Sequence, residues 1–285
     1  MDSDRNSQAN YIKDMLCGEL QKKYQLLQEN LHALGGVAVA FSSGVDSTLL
    51  LKVAHDVLGA KVIAITCKAP WFPARETAET TEFCRREGIR QIFIDFGLET
   101  VPEFAENQKN RCYLCKKELF SNIIKVAAAE GFSAVAEGSN VDDLGDYRPG
   151  LQAIAEFGVR SPLREAGLTK AEVRELSREL GLPTWQKPSF ACLASRFVYG
   201  EIITQEKLSM VEQAEEYLRS LGLRQFRVRV HGTLARIEVE PEEIARLAEP
   251  LVREKIVEKF RALGFLYVAL DLEGYRTGKM NRGLQ

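Results

Sequence analysis

Short apolar runs alternate with amphipathic stretches along the first half of the chain. The apolar runs predict strands at 36–41, 61–67, 90–96 and 134–137, and the stretches between them predict helices at 48–58, 74–87 and 116–130. Strands that alternate with helices of this length indicate βαβ units, a parallel sheet and helices on both of its faces. The expected fold class is therefore α/β, and ligands bind such sheets at the carboxyl ends of the strands.

The remainder of the chain follows a different pattern. A leading helix is predicted at 11–34, and Thr169 with Glu172 predicts the capped start of a helix that ends before Gly181. After a long loop, helices at 205–220 and 242–263 and strands at 225–230, 234–239 and 265–270 indicate a smaller α+β unit. We expect an N-terminal helical segment at 1–34, a nucleotide-binding α/β domain at 35–190 and a C-terminal α+β domain at 191–285.

The turn after the first predicted strand carries the densest candidate chemistry. Its sequence is Ser42-Ser43-Gly44-Val45-Asp46-Ser47-Thr48, and a turn between strand and helix aims backbone N–H groups and a positive helix end at an anion. It resembles the SGGxDS pyrophosphate loop of the PP-loop superfamily, whose members activate a substrate oxygen as an adenylate. It lacks the Gly-Lys-Ser/Thr ending of a Walker loop. Ser43 stands where that pattern has its second glycine, so a positive φ there would strain the serine.

These residues predict a site for ATP and its metal ion. Asp46 is the one carboxylate of the turn, and one or two carboxylates usually supply the protein ligands of a Mg²⁺ that accompanies ATP. The predicted ATP-binding residues of the turn are Ser42, Ser43, Gly44, Asp46, Ser47 and Thr48, with Mg²⁺ at Asp46. Ser47 and Thr48 are also expected to cap the helix. The alternative is an ordinary βα turn in which Asp46 only complements the helix dipole.

A second polar cluster follows the fourth predicted strand. Gly138 would permit close approach of the backbone to a nucleotide, and Asn140 is a candidate ligand of ribose, metal or neighbouring backbone. Arg148 is placed to bind a phosphate or carboxylate, where its fork geometry is useful. An Asx-rich surface turn is the alternative for this segment. The two clusters follow strands of one sheet, so we expect them side by side.

Three cysteines form a third candidate group. Cys112 and Cys115 make a C-x-x-C just before the predicted helix 116–130, and Cys192 lies in the loop Phe190-Ala191-Cys192-Leu193-Ala194-Ser195-Arg196-Phe197. Zinc ligands, a redox dithiol and ligands of an iron–sulfur cluster are all compatible with this spacing. The other cysteines, Cys17, Cys67 and Cys84, occupy apolar positions and are expected in the core.

Arginines cluster in the C-terminal unit. Arg227 and Arg229 are two residues apart on one predicted strand and so share a face, with Arg236 on the next strand and Arg276 near the end. A convergent phosphate site and a solvated sheet face with surface ion pairs both fit this spacing.

Longer segments resemble one family within that superfamily. The segments AFSSGVDSTLLLKVAHDVLG, EGSNVDDLGDYRPGL, REAGLTKAEVRELSRELGLPTWQKPSFACLASRF and RVRVHGTLARIEV are similar to LarE-type enzymes. These are ATP-dependent sulfur transferases in the biosynthesis of the nickel-pincer nucleotide cofactor of lactate racemase. The resemblance implies a PP-loop domain with a smaller C-terminal domain and a homo-oligomer, by resemblance a hexamer. It also implies adenylation of a carboxylate of pyridinium-3,5-biscarboxylate mononucleotide and its conversion to a thiocarboxylate.

One departure from that family concerns the sulfur. Members that sacrifice a cysteine carry it five residues before the arginine of the SRF motif, where this chain has Ala191, with Cys192 next. Cys112, Cys115 and Cys192 instead match the three-cysteine pattern of relatives that bind a [4Fe–4S] cluster, although a sacrificial Cys192 stays open. The resemblance makes Cys192 and Asp46 the candidate catalytic residues. It places Arg148, Arg196, Glu215, Arg227, Arg229 and Arg276 as candidates for binding the small-molecule nucleotide substrate.

Bulk composition limits the partners. The 285 residues carry a formal net charge of −2, which gives no general attraction to a nucleic acid. No apolar run reaches the roughly 18 residues of a membrane span, and the polar, acidic start is unlike a signal peptide, so a cytoplasmic protein is expected. A PP-loop tRNA thiolase, another adenylate-forming PP-loop synthetase and a non-catalytic nucleotide-binding regulator are the competing functions.

Overall fold

The computed structural model describes residues 18–145, 149–188, 191–276 and 279. These residues form two compact units. Unit 1 comprises the described residues up to Lys68, together with Ala74–Phe96 and the described residues from Cys112 to 188. Unit 2 comprises Ala69–Pro73, Gly97–Arg111 and the described residues from 191 onward.

Unit 1 is built on a four-stranded parallel sheet. Its strands are β1 (Val37–Ala40), β2 (Val62–Lys68), β3 (Arg90–Asp95) and β4 (Val135–Ala136), in the order β3-β2-β1-β4. Val37 lies opposite Val62 and Ile63 lies opposite Arg90, with every pair of strands parallel. The predicted α/β class with a parallel sheet is confirmed.

Helices cover both faces of this sheet. They are α1 (Gly18–Ala33), α2 (Val45–Leu58), α3 (Ala74–Glu87), α4 (Arg111–Ala129), α5 (Pro149–Glu156), α6 (Pro162–Glu165) and α7 (Lys170–Glu179). Successive strand side chains point to opposite faces. Val37 and Val39 therefore join one buried cluster with residues of α1, α2 and α7, whereas Ala38 joins a second cluster with residues of α4 and α5.

Unit 2 contains a smaller mixed sheet. Its elements are α8 (Gln205–Ser220), β5 (Phe226–His231), β6 (Leu234–Val239), α9 (Ile244–Ala248), α10 (Pro250–Ala262) and β7 (Tyr267–Leu270). Strand β6 lies in the centre, antiparallel to β5 and parallel to β7. Phe260 and Phe265 are fully buried, with ring centroids 5.8 Å apart.

Three helix boundaries differ from the expectations. Helix α2 begins at Val45 with Gly44 as its N-cap and no side-chain cap, so Ser47 and Thr48 do not cap it. Helix α4 begins at Arg111, which places the C-x-x-C inside the helix rather than before it. The single helix predicted at 242–263 is broken at Pro250, because proline lacks the N–H that would continue α9 and instead starts α10.

Helix α7 begins as predicted. The hydroxyl of Thr169 accepts a hydrogen bond from the backbone N–H of Glu172, whose carboxylate accepts one from the N–H of Thr169 at 2.8 Å. The leading helix spans Gly18–Ala33, and the part predicted at 11–17 lies outside the described residues, as does Cys17. Among the described residues, no helix is long and apolar enough to cross a membrane.

Candidate functional site

The turn between β1 and α2 contains a strained serine. Ser43 has φ of +54°, the left-handed conformation that the sequence pattern reserves for glycine, and it is only 2% exposed. A residue with a Cβ pays about 1–2 kcal/mol for this conformation. The turn therefore keeps the backbone geometry of the pattern in spite of the substitution.

Hydroxyl groups cluster around this turn. The Oγ atoms of Ser42 and Ser47 are 3.2 Å apart, and the Oγ of Ser47 also donates to the carbonyl oxygen of Gly44 at 3.3 Å. The Oγ1 of Thr48 is fully buried and has no hydrogen-bond partner among the described residues. A buried orphan hydroxyl is costly unless another group bonds it. A phosphate oxygen is one group that would supply such a partner.

The loop after β4 lies directly against the turn. A Cβ on Gly138 would stand 2.8 Å from the backbone nitrogen of Ser47 and 3.1 Å from the Cβ of Asp46. Only glycine permits this approach without a shift of backbone. The two polar clusters that the sequence analysis singled out are therefore brought together at Gly138.

Glu137 fixes the start of this loop. Its carboxylate accepts hydrogen bonds from the N–H of Ser139 at 3.0 Å, from the Oγ of Ser139 at 2.8 Å and from the Oγ of Ser161 at 2.5 Å. Glu137 is buried, and the sequence analysis included it in the second polar cluster without giving it a role. Its position, an acidic residue at the end of an apolar strand, is the feature of the sequence that could have indicated a role.

Asp46 has two partners in unit 1. Its carboxylate accepts a hydrogen bond from the Nδ2 of Asn140 at 3.0 Å and forms an ion pair with Lys170. The side chains of Asp46 and Lys170 are 22% and 29% exposed. A metal ion can therefore reach the carboxylate, in competition with the ammonium group.

Lys170 was missed by the sequence analysis. It is the first residue of α7, and its backbone N–H donates to the carboxylate of Asp142 at 2.8 Å. The predicted cap at Thr169 located the start of this helix but gave no sign that it faces Asp46. The pairing joins residues 124 positions apart, which no local pattern encodes.

The remaining residues of the second cluster are only partly described. Arg148 lies outside the described residues, so its predicted role stays a prediction. Gly150, two residues later, is buried, and a Cβ there would stand 2.6 Å from the Cδ of Lys116. The start of α5 therefore packs on Lys116 of α4, the residue that follows the C-x-x-C.

The cysteines differ in exposure. Cys112 is exposed and Cys115 is buried, one turn apart on α4 in unit 1, whereas Cys192 is partly exposed in unit 2. Within the part of the chain that the structure describes, no three His, Cys, Asp or Glu side chains form a group that could hold a metal ion. The predicted three-cysteine cluster is thus not supported by the described geometry. Burial raises the pKa of Cys67 and of Cys84 to about 12, so these two thiols are unreactive.

Arg196 is buried in unit 2 and holds the backbone around Cys192. Its Nε and Nη2 each donate to Glu215 at 2.8 Å, a bidentate ion pair with both partners almost fully buried. Its Nη1 donates to the carbonyl oxygens of Ala191 at 2.7 Å and of Cys192 at 3.1 Å. The short 3₁₀ helix Leu193–Arg196 therefore folds back on the residues that precede it.

Glu215 is the acceptor for several donors at once. Besides Arg196, the backbone N–H of Val228 donates to its Oε1 at 3.0 Å, which links α8 to β5. Burial by itself would raise the pKa of this carboxyl, but the charge and hydrogen bonds of Arg196 outweigh it and leave the pKa lowered. Glu215 is therefore ionised and structural in this unit.

Two further arginines lie beside this pair. Arg229 donates to Glu238 at 3.0 Å and to the carbonyl oxygen of Ser195 at 2.7 Å, while the guanidinium of Arg227 lies 4.9 Å from the ring centroid of Tyr275. Burial, and then the positive charge of Arg196, lower the pKa of Arg227 to about 10. The sequence analysis also allowed a solvated sheet face with surface ion pairs. That alternative is wrong for Arg227 and Arg229, because both side chains are buried. Arg276 is exposed.

The sequence is similar to known proteins over nearly its whole length, although no family model matches it. An uncharacterised protein of Synechocystis is 46% identical over 265 residues, which are 93% of this chain and 99% of that protein. Pyridinium-3,5-bisthiocarboxylic acid mononucleotide synthase of Lactiplantibacillus plantarum is 40% identical over 264 residues, which are 92% of this chain and 95% of that protein. An uncharacterised protein of Methanocaldococcus jannaschii is 31% identical, covering 85% of this chain and 91% of its own length.

More distant similarity reaches two other kinds of enzyme. An argininosuccinate synthase of Methanothermobacter thermautotrophicus is 23% identical over 66% of this chain and 51% of its own length. A GMP synthase of Oleidesulfovibrio alaskensis is 26% identical over 65% of this chain and 39% of its own length.

Proposed function

Since the chain belongs to the LarE-type family of PP-loop enzymes, we propose that it is an ATP-dependent sulfur transferase acting on pyridinium-3,5-biscarboxylate mononucleotide. The observation that carries the proposal is the 40% identity, over 92% of the chain, to a synthase named for the bisthiocarboxylic acid mononucleotide. Because the named relatives in this family and superfamily are synthases, the protein is an enzyme. Its substrate and the source of the sulfur are the proposed parts.

In the proposed reaction, the turn after β1 binds ATP. The hydroxyls of Ser42, Ser47 and Thr48 and the backbone of Ser43 and Gly44 bind phosphate oxygens. Asp46 would hold a Mg²⁺, which neutralises the phosphate oxygens when bound. Gly138 and Asn140 complete the pocket from the neighbouring loop, and Lys170 shares Asp46 with the metal. The orphan hydroxyl of Thr48 and the close approach at Gly138 support this assignment.

Adenylation prepares the carboxylate for sulfur. The substrate carboxylate oxygen attacks the α-phosphorus of ATP and pyrophosphate leaves, so the product is an acyl-adenylate. A carboxylate is a poor electrophile, whereas AMP is a good leaving group when sulfur attacks the acyl carbon. Asp46 and the turn act on this step by binding and orienting the phosphates.

The phosphate of the substrate is proposed to bind the arginines of unit 2. Arg227 and Arg229 are candidates by resemblance, and both side chains are buried beside Arg196 in unit 2. Arg196 remains a candidate by resemblance, but its hydrogen bonds to Glu215 and to the carbonyl oxygens of Ala191 and Cys192 favour a role in holding the residues around Cys192. Glu215 then acts by fixing Arg196, and Arg276 stays a prediction.

The sulfur donor is the open part of the proposal. A [4Fe–4S] cluster on Cys112, Cys115 and Cys192, and sacrifice of the Cys192 sulfur, are the two routes that the resemblance offers. Because the described residues hold no group of metal ligands, we derive no step through a cluster. Two measurements separate these routes: iron and sulfide assays after anaerobic purification, and mass spectrometry of residue 192 after turnover. Dehydroalanine at position 192 in an iron-free enzyme would establish sacrifice of the Cys192 sulfur.

One experiment tests the proposed function. Purified protein is incubated with ATP, Mg²⁺, sulfide and pyridinium-3,5-biscarboxylate mononucleotide, and pyrophosphate, AMP and the thiocarboxylate are measured. We expect pyrophosphate release that depends on the pyridinium substrate. Equal release with and without that substrate would overturn the assignment. The oligomer, the domain boundaries and the cytoplasmic location stay predictions.

A further inference from the structure

The strained serine of the nucleotide turn raises the question of what holds it. Ser43 adopts φ of +54° in a position where the superfamily pattern has glycine. Its peptide group joins Gly44, the residue that caps α2. A conformation that costs free energy persists only where surrounding contacts determine it. The contacts to Ser43 are therefore functional candidates.

Lys187 supplies those contacts. Its Nζ donates to the carbonyl oxygen of Ser43 at 3.0 Å and lies 3.0 Å from the Oγ of the same residue. It also forms an ion pair with Glu79, whose Oε2 accepts a hydrogen bond from the Oγ of Ser43 at 3.2 Å. The Lys187 side chain is 14% exposed, so water competes weakly for its ammonium group.

The backbone of Lys187 is itself fixed. Its N–H donates to the carbonyl oxygen of Thr184 at 2.9 Å, and its carbonyl oxygen accepts from the Nη2 of Arg174 at 2.8 Å. The Nη1 of Arg174 donates to the carbonyl oxygen of Trp185 at 2.6 Å. Arg174 lies on α7, one turn after Lys170. One helix thus carries the partner of Asp46 and anchors the residue that contacts Ser43.

A bound carbonyl oxygen determines where the adjoining N–H points. In a trans peptide the C=O and N–H bonds are antiparallel, and no peptide bond of the described chain is cis. By binding the Ser43 carbonyl oxygen, Lys187 fixes the direction of the Gly44 N–H, which lies in the same peptide plane and points the opposite way. Gly44 N–H is one of the donors that a turn before a helix offers to a phosphate.

We propose that Lys187, with Glu79, is a positioning residue for ATP binding: it holds Ser43 in the left-handed conformation and orients the Ser43–Gly44 peptide. This inference rests on the proposed binding of ATP at the turn. The contact from Lys187 takes the place of the conformational freedom that a glycine would supply. Lys187 itself does not contact the phosphates in this proposal.

The test is a double-mutant cycle with Ser43→Gly. The dissociation constant of Mg²⁺–ATP is measured by calorimetry for the wild type, Lys187→Met, Ser43→Gly and the double variant, with thermal unfolding of each. Lys187→Met should raise the dissociation constant about tenfold, the effect of losing one charge-assisted hydrogen bond. In the Ser43→Gly background the same change should cost less than about threefold, because glycine adopts the conformation unaided.

Controls separate positioning from other roles. Lys52 lies on α2 and pairs with Asp56 of the same helix and with Glu87 of α3. Lys52→Met should therefore leave the dissociation constant unchanged. An equal loss in both backgrounds would make Lys187 a direct ligand and overturn the proposal, as would no loss at all. If Lys187→Met does not fold, Glu79→Gln is carried through the same cycle with the same expectation. Failure of the wild type to bind Mg²⁺–ATP would instead refute the proposed function.

Discussion

At the scale of single residues, the charged groups of the proposed nucleotide site already have partners. Asp46 is bound by Asn140 and Lys170, so a Mg²⁺ that arrived with ATP would have to share the carboxylate with the ammonium group or displace it. The carboxylate is partly exposed, and its loss removes no core packing. A substitution of Asp46 can therefore change metal binding without changing the stability of the fold.

Replacing Asp46 with Asn should abolish adenylation and leave the fold intact. The amide keeps the size of the side chain but removes the charge that binds the metal. Pyrophosphate release in the presence of the pyridinium substrate measures the first effect, and thermal unfolding measures the second. Release at the wild-type rate from a folded Asp46→Asn protein would remove Asp46 from the metal site.

Gly138→Ala tests the close approach of the two loops. The added methyl group would stand 2.8 Å from a backbone nitrogen, so the turn has to move, at about 1–3 kcal/mol of unfolding free energy and with weaker ATP binding. Gly36→Ala is the matched control, because its Cβ would meet its nearest neighbour at 3.4 Å. Similar denaturation midpoints for the two variants would contradict the assignment.

Residues of the site differ in how far the sequence reveals them. Asp46, Gly138 and Asn140 follow from turns at the ends of predicted strands, because local chain geometry sets their positions. Lys170 and Lys187 do not follow, since each meets its partner across more than a hundred positions. The arginine pair on β5 was located on one face, but the pattern did not reveal that this face is buried.

At the scale of elements, one ion pair ties three parts of unit 2 together. Arg196 ends the 3₁₀ helix that follows Cys192, Glu215 lies on α8, and the N–H of Val228 belongs to β5. A buried charge without its partner is strongly destabilising. The secondary structure predicted for this region was close to the observed elements, but the pairing between them came only from the structure.

Arg196→Ala should therefore destabilise the protein by about 3–5 kcal/mol, because it leaves the Glu215 carboxylate buried without its main partner. Chemical denaturation measures this loss. The matched control is Arg85→Ala, which removes an equally bidentate pair with Glu82 whose side chains are 71% and 62% exposed. Because that pair is fully exposed to solvent, its loss should leave the unfolding free energy almost unchanged. Equal losses from the two variants would contradict the structural role of Arg196.

The same carboxylate predicts a pH dependence. The pKa of Glu215 is lower in the folded protein than the value of about 4.3 expected in the unfolded chain. Its contribution to stability is thus complete above that unfolded value and is lost as the pH falls through the folded pKa. Unfolding free energies from pH 7 to pH 3 should fall less steeply for Glu215→Gln than for the wild type. Identical slopes would show that Glu215 does not titrate with folding.

At the scale of the whole molecule, the chain divides into an α/β unit and a smaller mixed unit, as the change of sequence pattern indicated. The pattern placed the second unit in the C-terminal third alone. The structure adds Ala69–Pro73 and Gly97–Arg111, both short segments between elements of the parallel sheet. Such segments carry no periodicity, so nothing local could show where they pack.

This discontinuous composition has a consequence for synthesis. The N–H of Leu193 bonds the carbonyl oxygen of Trp71, the N–H of Ile203 bonds that of Ala105, and the Asn107 side chain bonds Val198, 91 positions later. Trp71 and Phe104 are fully buried in the finished protein. Both leave the ribosome long before Leu193, Val198 and Ile203, the partners of their segments, are synthesised, so the nascent chain carries these two aromatic side chains without those partners for much of translation. Transiently exposed apolar surface favours aggregation, so the yield of folded protein should respond to elongation rate and chaperone supply.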